Sequence, residues 1–572
     1  MEKKYAKSAY RNFFFWSTCS SLGVTVSTLI DATLVGNFIG SKGLAVANIA
    51  TPIFLLYSLL GITLGSGAGI LIGKRLGAED EERANRLFAS VLSTGITVGV
   101  FFAVISVSFS NELCTFLGAE ELLNLVWQYL FIVFCSAPIF VLYHILAAAV
   151  RTDGDPKLAA IASGGVIVTN LVLDILFMRV LNWGVAGASA SLCIAETVGG
   201  LLLLAHFWKK QSLLKLRFAL PQAKEIKNFI ATGFGVGSSF IFQAAVIMVF
   251  NILLLQEATQ AGIYAVAVFG VMYTMSTVPY ALFDGAGAAA STVISILGGE
   301  KDQKGMLAVF YDGLRSVIIA GVILVLAFAL YTREILAFFG IAGDVSFDTA
   351  VAAFQIYAVS IVFAGINTLT TAFWQTIGRI RLAAAISILR NCVFMLAFGA
   401  CLIPGRGIEG LAMAYVLGEG LCLVIMLCVL VFKSSKKYIE ENYCFYNRVF
   451  ERFYKIEEGS IDLLAKELEQ VCEEWEIGYK QSMFINLITE ELILNIIKFG
   501  LDSNEKQCYV SVKLMDNNDE YILRIRDNVR TYNPFDLRGD EVDRAAMRLI
   551  TKKAKYYNYQ RKLVFNYLYI II

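Results

Sequence analysis

Through the first three-quarters of this chain, apolar runs of about 20 residues follow one another with only short polar breaks. Wound as a helix, a run of that length matches the hydrocarbon thickness of a bilayer. Inside hydrocarbon a chain must also satisfy its own backbone polar groups. A bundle of membrane-spanning helices meets both demands. The runs centre near Ser21, Leu59, Val98, Phe134, Val168 and Ala195, then near Ile247, Tyr280, Leu324, Val359, Phe394 and Cys422. Twelve spans are therefore expected. The start, MEKKYAKSAYR and an apolar run, has the outline of a signal peptide. That run continues through Ile30 without a small-residue cleavage site, so it reads as the first span. Charged residues make up 17% of the chain, below the roughly 25% of soluble proteins, as a membrane body requires.

The cations sort by side. Lys3, Lys4, Lys7 and Arg11 precede the first span, Lys74, Arg75, Arg83 and Arg86 follow the second, and Arg151 and Lys157 follow the fourth. Six more lie between Lys209 and Lys227, and the series continues with Lys301, Lys304, Arg379, Arg381, Lys433, Lys436 and Lys437. The alternate loops hold Lys42, Arg179, Arg333 and Arg406. The positive-inside rule then puts both termini in the cytoplasm, with the chain a multi-pass protein of the plasma membrane.

The two sets of six runs are also repeats. Arg75-Leu-Gly-Ala-Glu79 matches Ile296-Leu-Gly-Gly-Glu300, and Gly184-Val-Ala-Gly187 matches Gly407-Ile-Glu-Gly410. Thr152 to Ala160 matches Thr376 to Ala384, and Glu196 falls opposite Glu419. A nearly constant offset of about 220 residues is the signature of a duplicated transporter. The expected fold is all-α, with two six-helix lobes (1–215 and 216–437) related by a pseudo-twofold axis along the membrane normal. The substrate path would run between them.

Ionisable groups inside spans are costly and mark function. Asp31 lies late in the first span. Asn170 and Asp174, four apart, share one face of the fifth. Two carboxylates and an amide in a half-dry cavity can hold a proton or Na⁺. In the second half Asp31 faces Asn251, a neutral isostere, and Asp284 stands opposite Leu64, so the acidic pair belongs to the first lobe. Asp284, Gln243, Asn251 and Gln375 are the expected polar groups of the substrate cavity.

Asp31-Ala-Thr-Leu-Val-Gly36 with Gly40 and Leu44-Ala45 resembles the first-span signature of the multidrug and toxic compound extrusion (MATE) family. Arg151-Thr-Asp-Gly-Asp-Pro156, Asn170, Leu173-Asp174 and Gly184-Val-Ala-Gly187 resemble its fourth-to-sixth-span signature, and Gln375-Thr-Ile-Gly378 the matching piece of the second half. The resemblance covers about residues 10 to 432. It implies H⁺- or Na⁺-coupled export of small organic, often cationic, substrates, with coupling at Asp31, Asn170 and Asp174 and no further cofactor. Another branch of the family carries a seventh-span Glu, where this chain has Gln243.

From Tyr438 the chain turns charged, and 438–572 is long enough for a domain. Its pattern reads helix (460–474), helix (481–499), strands (508–515, 520–527), helix (542–554) and a final strand (563–572), a cytosolic α/β sandwich. Ile488-Thr-Glu-Glu-Leu-Ile-Leu-Asn495 resembles the N-box of the GHKL ATPase fold in its anti-sigma-factor-kinase-like form, and the segment around Asp527 resembles the next box. The resemblance implies that Glu491 and Asn495 serve ATP and Mg²⁺ and that Asp527 contacts adenine. Val529 replaces an expected glycine, Phe499 stands where His is frequent, and 542–547 lacks the glycines of a phosphate-binding lid. The expected tail is a worn nucleotide fold that regulates, with a cytosolic regulatory partner.

Other classes fit poorly. A sensor kinase needs a phosphoacceptor histidine in a dimerisation helix, yet His144 and His206 lie in or at the end of apolar spans. Eleven cysteines show no CxxC or Cys/His cluster, which disfavours a zinc site or disulfide framework. A net charge of +1 offers no field for nucleic acid. Lipid is the remaining expected partner. A lipid-linked glycan flippase would need a larger, more basic cavity, and a receptor built on a transporter scaffold is separated from a transporter by transport assays.

Overall fold

The computed structural model describes residues 4–116, 122–217, 219–255, 260–339, 341, 347–432, 435–443, 446–456, 460–500, 508–517, 520–535, 541–563 and 565–572. Lys3 and Lys433 of the basic series lie outside them. The chain forms two compact units, a membrane unit of Ala6–Asn442 and a C-terminal unit centred on Tyr443–Ile572.

The first half of the membrane unit comprises α1 (Lys4–Phe38), α2 (Ser41–Gly77), α3 (Glu81–Ser108), the short α4 (Ser110–Phe116), α5 (Leu123–Cys135), α6 (Ala137–Thr152), α7 (Pro156–Asp174) and α8 (Gly184–Leu204). The second comprises α9 (Ala223–Leu255), α10 (Gln260–Gly299), α11 (Gln303–Phe338), α12 (Phe347–Ile377), α13 (Ile380–Ile388) and α14 (Met395–Phe432). Among the described residues, ten helical stretches are long and apolar enough to cross a membrane. The pair α5 and α6, bent by 49°, forms one more broken span. Pro138 stands in the first turn of α6, where its missing N–H breaks no helical bond.

The last stretch, Ile380–Cys428, has 49 residues. Straight, it would measure about 74 Å, more than twice the hydrocarbon thickness. It is not straight. Gly407 takes φ 54° and ψ −127°, a conformation that glycine alone adopts cheaply. A Cβ on Gly410 would strike the carbonyl of Leu402, so the chain folds back on itself there.

The duplication read from sequence is also written in the backbone. Glu79 (φ 60°) leads into Asp80, which caps α3 by accepting from the Arg83 N–H. Lys301 (φ 58°) leads into Asp302, which caps α11 through the Gly305 N–H. Gly154 (φ 94°) and Gly378 (φ 100°) repeat the correspondence farther on.

The halves meet at their basic ends. A Cβ on Gly77 would fall on the carbonyl of Ile296, and one on Gly299 on that of Lys74. Gly67 of α2 and Gly233 of α9 approach as closely. Small residues allow such backbone contact between spans. The basic ends of α2, α9 and α10 are therefore closed on one another.

The segment joining the halves is strapped to the α6–α7 turn. Asp153 Oδ2 lies 2.7 Å from His206 Nε2 and accepts from Ser212 Oγ at 2.6 Å, and Lys209 Nζ meets Asp155 Oδ2 at 2.6 Å. Burial alone would raise the Asp155 carboxyl. His206, Lys209 and the Leu158 N–H outweigh it and hold Asp155 well below the usual carboxylate range.

After α15 (Ser435–Tyr443), the C-terminal unit is an antiparallel sheet in the order β1-β2-β3-β5-β4. Its strands are β1 (Arg448–Lys455), β2 (Tyr509–Asp516), β3 (Tyr521–Asp527), β4 (Tyr556–Lys562) and β5 (Phe565–Ile571). The helices are α16 (Ser460–Glu474), α17 (Tyr479–Asn495) and α18 (Glu541–Lys553). Val512, Leu514, Leu523, Ile525 and Leu568 share one core with Leu468 of α16 and with Ile488 and Leu492 of α17. The alternate positions carry Lys513, Arg524, Arg526 and Lys562, with the Lys562 Nζ 4.5 Å from the Tyr567 ring centre.

Two strands differ from the sequence expectation. β1 was not anticipated, and the final strand is the second arm of a hairpin whose first arm, β4, reads Tyr-Tyr-Asn-Tyr-Gln-Arg-Lys. That arm has no apolar alternation, because aromatic and cationic side chains form its faces.

Candidate functional site

The first-lobe cluster is built by four helices. Asn170 and Asp174, one turn apart on α7, are both buried, and Asn170 Nδ2 donates to Asp174 Oδ2 at 2.8 Å. Ser191 of α8 donates to Asp174 Oδ1. Asp31 of α1 lies against Asp174 and Asn170, and Tyr129 of α5 faces both acids. Immediately after Asp174 the helix widens into a π segment, Ile175–Val180. Such bulges recur at functional sites.

The structure thus brings Asp31, Asn170 and Asp174 together. Asp31 Oδ1 and Asn170 Oδ1 are closed to solvent and have no hydrogen-bond partner. Both atoms are acceptors. A site of two carboxylates with unfilled acceptors, enclosed in spans, suits a cation small enough to enter, H⁺ or Na⁺. Among the described residues no three His, Cys, Asp or Glu side chains gather as a metal site.

The second lobe holds a buried ion pair that sequence reasoning missed. Arg390 Nε lies 2.8 Å from both oxygens of Glu419. Asn367 Nδ2 donates to Glu419 Oε2 at 2.7 Å, and an Arg390 guanidinium nitrogen donates to Thr368 Oγ1 at 2.7 Å. Arg390 also sits in a π segment, Leu389–Phe394. A guanidinium within the apolar run ISILRNCVF was the available signal. Ser191 and Tyr129 gave none, since Ser and Tyr are ordinary inside spans.

The expected cavity residues divide. The Asp284 side chain is not covered by neighbouring side chains of its span, and it lies within electrostatic reach of Arg390. Gln243 and Asn251 are half-buried on α9. Gln375 departs from the expectation. It is buried, and a Cβ on Gly235 would lie 2.7 Å from its Oε1, so it packs between α12 and α9. Tyr57 and Trp374 are likewise fully buried core residues. A cleft of about 590 Å³ between the starts of α9 and α13, lined by Ile226, Lys227, Ile230, Phe234 and Arg381 among others, involves neither polar cluster.

In the C-terminal unit, the residues matched to a nucleotide site are absorbed by the fold. Asn495 is buried, donates to the Glu491 carbonyl at 2.8 Å and lies 3.7 Å from Met547 Sδ. Asp527 Oδ1 accepts from the Val529 N–H at 3.1 Å and from Asn566 Nδ2 at 2.7 Å. Val529 is buried against Gly500, filling the space a glycine would leave. The side chains of Phe499 and of 542–546, where the lid departs from the pattern, lie outside the described residues.

Comparison with known proteins places this geometry. The family described as MatE matches residues 17–176. The Multidrug export protein MepA of Staphylococcus aureus (strain MSSA476) is 25% identical over 447 residues, covering 76% of this chain and 95% of that protein. The protein of the same name from Staphylococcus saprophyticus subsp. saprophyticus is 23% identical over 435 residues, covering 75% and 95%. In fold, the chain is similar to the crystal structure of MATE in complex with MaL6, with TM-score 0.71, 20% identity, and coverage of 76% of this chain and 97% of that one. It is equally similar, by the same measures, to the outward-facing conformation of a multidrug resistance MATE family transporter of the MOP superfamily. The membrane body of this chain is thus similar to multi-pass MATE transporters, in sequence to the MatE family over residues 17–176 and in fold to the solved MATE structures.

Proposed function

We propose that the chain is a cation-coupled antiporter that exports organic compounds, drugs among them, by alternating access between its two lobes. The observation that carries the reading is the Asp31–Asn170–Asp174 cluster with its unfilled acceptor oxygens. A proton or Na⁺ taken there from outside lowers the negative charge of the cluster by one and lets the empty protein return inward. A twelve-span path suits this cycle, with α5 and α6 as one broken span and 380–428 as two spans meeting at Gly407. Lobes of 1–215 and 216–437 then leave 438–572 in the cytosol. The relatives' printed names, multidrug export proteins, support the substrate class. Asp284, within electrostatic reach of Arg390, is the acid offered to a cationic substrate, and Gln243 and Asn251 of α9 are further polar groups of the second lobe.

The test is transport of tetraphenylphosphonium by the full chain in proteoliposomes. A one-unit pH gradient, or an equivalent Na⁺ gradient, is expected to drive up to about tenfold accumulation at one ion per cycle. If neither gradient drives accumulation, the antiport reading fails.

The tail is a regulator of GHKL-like outline whose nucleotide site is filled. Asn495 and Asp527 are engaged within the fold, and Val529 occupies the expected glycine's space. The full chain is therefore expected to show no saturable binding of a fluorescent ATP analogue with Mg²⁺. Saturable binding would make the tail a nucleotide sensor instead.

A further inference from the structure

Glu196 of α8 and Glu419 of α14 hold equivalent places in the two repeats, about 220 residues apart. Their surroundings have diverged. Glu419 is fixed by Arg390 and Asn367, so its charge is balanced and each of its oxygens has a donor. Glu196 Oε2 is closed to solvent and has no hydrogen-bond partner. No ion pair reaches Glu196 among the described residues.

The titratable groups facing Glu196 are Tyr143 of α6 and Cys193 of its own helix. The Tyr143 ring packs on Gly199, one turn farther along α8, and its hydroxyl lies 3.1 Å from Ser163 Oγ of α7. Arg151, the cation on that side, faces Tyr143 from the cytosolic end of α6. An ionised carboxylate with one oxygen closed to solvent and without a donor is disfavoured, which favours the protonated form of Glu196 in this closed arrangement. Glu196 also follows Ser191, the residue that bonds Asp174, by five positions, or about 7.5 Å along α8 toward the cytosol.

We propose that Glu196 is a second proton site of the first lobe, one step inward of the Asp31–Asp174 pair. One proton is held at the pair and another at Glu196. Each is released to cytosolic water when the lobes open inward and substrate enters. The proposal rests on the antiport reading above and selects H⁺ over Na⁺ as the ion at this position. Its twin Glu419, tied to Arg390, has no such role.

The test counts protons released when tetraphenylphosphonium binds the detergent-solubilised full chain in weak buffer with a pH dye. Wild type is expected to release about two protons per bound cation. Glu196→Gln is expected to release about one fewer, and Glu196→Asp to restore the count with a displaced pH profile. Asp31→Asn combined with Asp174→Asn removes the remaining proton. If Glu196→Gln releases as many as wild type while the aspartate variants release fewer, the Glu196 site is overturned and the antiport reading stands. If wild type binds tetraphenylphosphonium and releases no proton, the Glu196 site is overturned, and the antiport reading falls with it only where neither a pH nor a Na⁺ gradient drives accumulation.

Discussion

Proteoliposomes carrying Asp31→Asn or Asp174→Asn are expected to lose substrate accumulation under a one-unit pH gradient, falling from up to about tenfold per coupled proton to none. Both variants should remain folded. Asp31 Oδ1 has no hydrogen-bond partner, so an amide can place its nitrogen there and keep the oxygen that faces Asp174 and Asn170. At Asp174 an amide nitrogen would face either Ser191 or Asn170, both of which donate to the carboxylate. Asn170 can turn its amide over and offer the oxygen that now lacks a partner. The net loss is then about one hydrogen bond, near 1 kcal/mol. What disappears is the ability to change charge, and with it the link between ion gradient and substrate. The check is to compare gradient-driven accumulation with unfolding temperature in the same preparations. Full accumulation in both variants would remove the first-lobe acids from the mechanism.

The asymmetry behind that prediction was legible in sequence, because carboxylates inside apolar runs stand out against their background. Asp31 and Asp174 needed no structure to be noticed, and the one-turn spacing of Asn170 from Asp174 already put them on one face. Their completion by Ser191 and Tyr129 was not legible, since it depends on how α5 and α8 rotate against α7. The repeat was visible as short matching motifs. Its physical content, a left-handed residue followed by a capping aspartate at both Asp80 and Asp302, needed backbone angles. Gln375 misled because a polar residue in a span was read as cavity-lining, whereas it fills a gap left by Gly235 between helices. In the tail, β2 and β3 announced themselves by alternation. β4 did not, because both of its faces carry aromatic or polar groups.

Arg390→Ala is expected to be the most destabilising single change in the membrane unit. It leaves Glu419 buried with only Asn367 as donor, and opening a buried pair from one side costs about 3–5 kcal/mol. The unfolding temperature in detergent should fall by several degrees, with reduced yield of inserted protein. Exchanging both partners for apolar residues of similar size, Arg390→Met with Glu419→Leu, should recover most of that loss, because no uncompensated charge remains. The double variant separates two roles for the pair. Asp284 feels Arg390 across the second lobe, so removing the guanidinium also removes the cation that tempers this acid. If the recovered double variant accumulates tetraphenylphosphonium as wild type does, the pair is structural and Asp284 acts alone. If it folds but binds the cation with altered affinity while the Asp31–Asp174 cluster still titrates, Arg390 sets the strength of the second-lobe site.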